Sequence, residues 1–145
     1  MRYRYIVATD GSEEADAAVR HASTQASAFG ATLELAHVLT PETRLVDGEI
    51  VLAGGEKALE LGERTLRGAR RIAADAAAGH DDDLVVETKL LTGSPADAIV
   101  EYAREVGADA IYVGHRGLSE EREPSVGSVA KSVVDKATVP VTVTK

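Results

Sequence analysis

Apolar positions in this chain fall into short runs separated by longer stretches of helical period. Tyr3 to Thr9, with Ile6-Val7-Ala8 at its centre, and Ala110 to Val113 run without clean alternation, the pattern of strands covered on both faces. Thr32 to Val38 reads as a second strand. Leu84 to Leu91 alternates in part, and Val141 to Thr144 alternates with threonines, so both predict strands at sheet edges. After Ser12, a good N-cap, Ala15, Ala18, Val19, Ala22, Ala26 and Phe29 recur at helical spacing up to Gly30. A second helix runs from Glu56 to about Ala78, with Leu59, Leu66, Ala69, Ala73 and Ala76 inward and Glu60, Glu63, Arg67 and Arg70 outward. Ser94 at an N-cap, Pro95 at the first helical position and Asp97 near the capping-box place open a third, whose stripe is Ala96, Ile99, Val100 and Ala103. A fourth pattern spans Val129 to Ala137. Leu39 to about Gly55 reads as a long connector whose Val46, Ile50, Val51 and Leu52 imply that part of it packs on the domain or on a partner subunit.

Five strands alternating with four helices call for an α/β fold: one domain over residues 1–145, a doubly wound parallel sheet of Rossmann-like type with right-handed crossovers. Such sheets bind ligands outside the carboxyl ends of their strands where the winding reverses. In the order 3-2-1-4-5 that point lies between strands one and four. The loops flanking it are Asp10-Gly11-Ser12 and Gly114 to Ser128.

The second of these loops, GHRGLSEEREPSVGS, carries the sharpest signal. Its glycines stand at Gly114, Gly117 and Gly127, followed by Ser128, between a strand and a helix. Strand-to-helix loops usually take about 2–6 residues, and this one is about twice the upper value, as functional loops often are. Glycine at 114 and 117 is expected to give positive φ and close approach to a ligand. Gly127-Ser128 opens the last helix, where unpaired N–H groups and the dipole favour an anion such as phosphate. No lysine precedes Ser128, so the loop is not a Walker A loop, nor is it a Rossmann GxGxxG. Asp10 is open to three readings: ribose ligand, turn former or catalytic acid. His115 either touches phosphate or is an ordinary loop histidine, while His21, His37 and His80 lack metal-ligand spacing.

Composition narrows the picture. The chain has no cysteine, which removes disulfides, thiolate nucleophiles and Cys-ligated metals and suits a reducing cytoplasm. Its net charge is −8, with 24 acids against 16 bases, a surface that repels nucleic acid and anionic membranes at long range. No apolar run approaches the roughly 20 residues a membrane span needs. A cytoplasmic location is therefore the expectation.

The motifs together resemble the universal stress protein family, in particular its ATP-binding branch. The resemblance covers the whole chain: I-V-A-T-D-G-S at Ile6 to Ser12, His37-Val38, Gly93-Ser94-Pro95, the glycine loop, and Pro140 to Val143. It implies that Asp10 and Val38 line an adenine and ribose pocket. Gly114, Gly117, Gly127, Ser128 and Val129 would hold ribose and phosphates, with Thr9 and Val113 at the rim and Arg116 as a base within the loop. It also implies ATP with Mg²⁺ as the ligand, a homodimer through Val141 to Thr144, and a role as regulator or sensor in stress adaptation with an unidentified downstream protein. Two alternatives stay open: a nucleotide-free dimeric interaction module of the same family, and a slow ATPase or nucleotidyl-transfer enzyme. Glu120, Glu121 and Glu123 depart from the family pattern. They point to solvent, repel the phosphates or help hold Mg²⁺.

Overall fold

Ile6 and Val7, neighbours in the first strand, are both fully buried but belong to different cores, which defines a sheet covered on two faces. The computed structural model describes residues 3–40, 44–46, 48–51, 55–78, 84–115 and 127–145. In chain order the elements are β1 (Arg4–Ala8), α1 (Glu13–Phe29), β2 (Thr32–Leu39), β3 (Arg44–Val46), β4 (Glu49–Val51), α2 (Glu56–Ala77), β5 (Val86–Thr92), α3 (Pro95–Val106), β6 (Ala110–Gly114), α4 (Ser128–Lys136) and β7 (Val141–Thr144). The main sheet is parallel, in the order β5-β2-β1-β6-β7. This is the expected 3-2-1-4-5 once the two strands inside the connector are set aside.

Val7 and Tyr112 pack with Ala18, Val19 and Ala22 of α1 and Leu66, Ala69 and Ala73 of α2 on one face. Ile6 and Ile111 pack with Ile99, Val100 and Ala103 of α3 and Ala130 and Val133 of α4 on the other. The chain thus winds outward from β1 to β5 over one face, crosses through α3, and winds from β6 to β7 over the second. Winding reverses between β1 and β6, and a cleft at their carboxyl ends is a geometric consequence.

Four expectations need correction. The connector contains an antiparallel hairpin, β3 with β4, in which Val46 pairs with Glu49 and Gly48 takes φ 81°. Asp47-Gly48 between Leu45-Val46 and Glu49-Ile50-Val51 is a hairpin signal in its own right, because a two-residue turn needs positive φ. Leu59 is exposed, because α2 presents Ala58, Gly62, Leu66, Ala69 and Ala73 to the sheet and Leu59 falls one step off that stripe. Phe29 is exposed as well, on the last turn of α1 next to the left-handed Gly30 cap. Ser94 and Pro95 do occupy the N-cap and first position of α3, but Ser94 makes no side-chain cap bond and Asp97 pairs with Lys136 of α4.

At the amino ends of the strands the nearly buried Glu34 accepts from Arg4 Nη1 at 2.7 Å and from the Tyr102 hydroxyl. Burial first, then this bond, push the Tyr102 hydroxyl well above the usual tyrosine range. A raised folded-state pKa means a contribution fully present below the ordinary value of about 10 and lost as pH climbs beyond it, because only the unfolded chain releases the proton there. Denaturant midpoints measured from about pH 9 to about pH 11 should fall more steeply for the parent chain than for Tyr102→Phe. Parallel curves would remove Tyr102 from the alkaline limb.

Candidate functional site

β1 ends in a tightly bonded turn. Thr9 Oγ1 accepts the Gly11 N–H at 3.1 Å, Asp10 Oδ1 accepts the Ser12 N–H at 3.0 Å, and Ser12 Oγ accepts the Ala15 N–H at 3.1 Å as the cap of α1. Gly11 takes φ 83°, which only glycine adopts without strain. In this arrangement the Asp10 carboxylate forms the turn, the second of its three readings, and sits partly exposed at the strand end. Thr9 is buried: its N–H donates to the Ala36 carbonyl at 2.9 Å, and its own carbonyl accepts from His37 Nδ1 at 2.8 Å. The nitrogen of His37 that faces a carbonyl must carry the proton, so the ring pins the end of β1 from β2.

Gly114 closes β6, and its role differs from the expected one. Its φ is not positive; instead a Cβ here would stand 2.8 Å from Ala15 N and Glu14 C and 2.9 Å from Glu14 O. The glycine lets the first turn of α1 lie directly on the strand end, bringing the β1 turn and the β6 loop together. His115 follows, buried. Its N–H donates to the Thr144 carbonyl of β7, its carbonyl accepts from Gly127 N–H at 2.8 Å, and its Nδ1 lies 3.8 Å from Glu14 Oε2, an ion pair whenever the ring is protonated. The start of the glycine loop is thereby tied to its end.

Gly127 is the N-cap of α4 and has no side chain to occupy the first N–H groups of that helix; the Lys131 N–H returns to its carbonyl at 3.0 Å. Gly127 is buried, whereas Ser128 and Val129 are exposed on the first turn of α4. Val38 is half-buried near the end of β2, and Val113 is buried in β6. Of the expected site residues, Thr9, Asp10, Val38, Val113, Gly114, Gly127, Ser128 and Val129 therefore gather at the carboxyl ends of β1, β2 and β6. Arg116 and Gly117 lie outside the described residues, as do Glu120, Glu121 and Glu123.

Two features escaped the sequence reading. The sequence places His37 with Val38 at the close of the second strand and denies it metal-ligand spacing, but its bond to the Thr9 carbonyl goes unread, and a histidine inside a covered strand is the signal that could have found it. Gly62 was unassigned, yet a Cβ on it would meet Leu90 Cδ2 at 2.8 Å, Leu39 Cδ2 at 3.0 Å and His37 Cδ2 at 3.2 Å, so α2 approaches the sheet closely beneath the His37 ring.

Charge at the mouth is negative. Glu13, Glu14 and Asp16 occupy the first turn of α1, where the helix dipole favours them. Burial raises the Asp16 carboxyl above the usual range, and Asp10 and Glu13 add to this against the opposing pull of Arg20. Positive backbone termini and a cluster of carboxylates thus share one cleft. An anion bound there is favoured when a cation accompanies it.

This geometry has counterparts. The sequence model of the universal stress protein family matches residues 1–145. A universal stress protein of Mycolicibacterium smegmatis is 30% identical over 142 residues, 97% of this chain, which spans about half (47%) of that relative's length. Among solved structures, the universal stress protein from Archaeoglobus fulgidus in complex with dAMP aligns at a TM-score of 0.73 with 27% identity, covering 99% of this chain and 98% of that one. A universal stress protein in complex with cAMP aligns at 0.70 with 26% identity, covering 98% and 95%. With a family match over its full length and the five-stranded doubly wound sheet beneath it, this chain belongs to the universal stress protein family.

Proposed function

We propose that this chain is a nucleotide-binding stress protein that takes an adenine nucleotide, ATP with Mg²⁺, into the cleft between β1 and β6, and acts as a dimeric regulator in stress adaptation. The observation that carries the reading is the pairing of the Gly127-capped α4 N-terminus with the Gly114 strand end at the switch point. The dAMP and cAMP complexes of two similarly folded family members support an adenine nucleotide as the ligand. Asp10 and Val38 face the adenine and ribose, Thr9 and Val113 form the rim, and Gly114, Gly127, Ser128 and Val129 take ribose and phosphates. Arg116 and Gly117 belong to the same motif. The acidic mouth fits Mg²⁺: a triphosphate beside Asp10 and Asp16 needs a bridging cation, and Mg²⁺ is commonly held by one or two carboxylates plus phosphate oxygens. Among the described residues no cluster of three His, Cys, Asp or Glu is placed to hold a metal; in this reading nucleotide and metal enter together.

The outer edge of β7, which has no strand partner among the described residues and whose residues are all half-exposed, pairs with its two-fold mate in the dimer. No helix among the described residues is long and apolar enough to cross a membrane, and we take the protein to act in the cytoplasm.

Mass spectrometry of small molecules released from denatured protein, followed by calorimetry with ATP, ADP, AMP and cAMP with and without Mg²⁺, tests the reading. ATP should be released, and its affinity should fall when Mg²⁺ is chelated. Binding confined to cAMP or AMP would overturn ATP as the ligand, and binding of none would overturn the site. Light scattering of the same sample should give twice the chain mass of 15.2 kDa.

A further inference from the structure

A second cavity lies away from the switch point. α2 and the edge strand β5 enclose an open groove of about 440 Å³, within the roughly 300–1,000 Å³ of ordinary ligand sites. Leu66 and Leu90 give it an apolar floor, Arg67 and Arg70 line the helix wall, and Thr88 and Lys89 line the strand wall. Glu63 is the one acid on its lining among the described residues. Both arginines are exposed and one helical turn apart, and neither has an ion-pair partner among the described residues. A cationic wall of this kind stands out on a chain of net charge −8.

β5 itself pairs only with β2 among the described strands, so the outer edge of its seven residues has backbone N–H and C=O groups without strand partners. The Lys89 ammonium lies 5.8 Å from the Tyr102 ring centroid, and Glu87 is held by Arg4, so the edge charges are drawn toward other contacts. We infer that the α2–β5 groove docks an extended acidic segment of a partner protein, which adds as a strand to the free edge of β5 and sets its carboxylates against Arg67 and Arg70. Strand addition supplies main-chain hydrogen bonds, and alternate side chains reach the Leu66–Leu90 floor. A free phosphate has no use for the strand edge, and nucleic acid meets the repulsion of the whole acidic surface. This surface is separate from the cleft at β1 and β6 and from the β7 edge.

The test pans a random decapeptide display library on the full chain and on Arg67→Glu/Arg70→Glu. Enriched peptides should carry Asp or Glu at alternate positions, should shift the amide resonances of Val86–Thr92, and should lose at least tenfold in affinity on the double variant, whose melting temperature stays at the parent value because both side chains are exposed. Absence of enrichment, enrichment without acidic bias, or equal binding to the charge-reversed variant overturns the proposal. So does displacement of the peptides by inorganic phosphate, or tighter binding of a single-stranded RNA decamer.

Discussion

Gly114→Ala lowers stability by about 2–3 kcal/mol and the melting temperature by on the order of 10 °C, although it adds a single methyl group. The methyl meets backbone at 2.8 Å, at Ala15 N and Glu14 C, where no side-chain rotation relieves it. Either β6 or the first turn of α1 must withdraw. Withdrawal of α1 drags the Thr9–Ser12 turn, and withdrawal of β6 pulls His115 from Thr144 and Gly127. Nucleotide affinity at a temperature where the variant is folded therefore falls on the order of tenfold, about 1.4 kcal/mol. Gly68→Ala is the control: its Cβ meets nothing within 4 Å and it lies inside α2, where alanine is favoured over glycine by about 0.5–1 kcal/mol. Thermal unfolding of the pair should move in opposite directions. If Gly114→Ala melts with the parent chain, the close approach of α1 to β6 is not what organises this end of the sheet.

That glycine shows how far the sequence could be read. Its place at a strand end in a long loop before a helix was legible, because run length and helical period report burial on one or two faces and so mark where strands end and helices begin. Its reason was not. Spacing suggested a backbone with positive φ, whereas the structure has an ordinary φ and a helix turn where a side chain would be. Contacts between residues a hundred positions apart leave no local pattern. The same holds for Gly62, which the sequence reading leaves unassigned and which is a packing surface for Leu39, Leu90 and His37. By contrast, the hairpin of β3 and β4 was written in the chain as Asp47-Gly48 between two short runs that each mix apolar and charged residues.

Cap chemistry divides in the same way. Ser12 was predicted as the cap of α1 and accepts the Ala15 N–H, because an N-cap bond is local. Asp97 has the right spacing for a capping box, but a cation on the neighbouring helix, Lys136, takes its carboxylate. Tertiary partners override local ones where a full opposite charge is within reach.

The Arg4–Glu34 pair gives the second large effect, at the opposite end of the sheet. Arg4→Met keeps the length of the side chain but leaves Glu34, 4% exposed, with only the Tyr102 hydroxyl to satisfy its charge. Breaking a buried pair from one side costs about 3–5 kcal/mol; Arg4 is itself 32% exposed, so water reaches the gap and about 2 kcal/mol is expected. Glu87, more exposed, loses its contact with Arg4 at little further cost, since surface pairs contribute at most about 1 kcal/mol. Neutralising the other partner reverses about half of the loss. In Arg4→Met/Glu34→Gln the amide still accepts from Tyr102 and no charge is stranded, so the double variant should be more stable than Arg4→Met alone by about 1 kcal/mol. Chemical denaturation of the four proteins closes the cycle. Nucleotide affinity should stay at the parent value throughout, because this cluster sits where the strands begin and the cleft lies where they end. A double variant as unstable as the sum of the two singles would mean that Glu34 is held by Tyr102 and the sheet, with Arg4 a bystander.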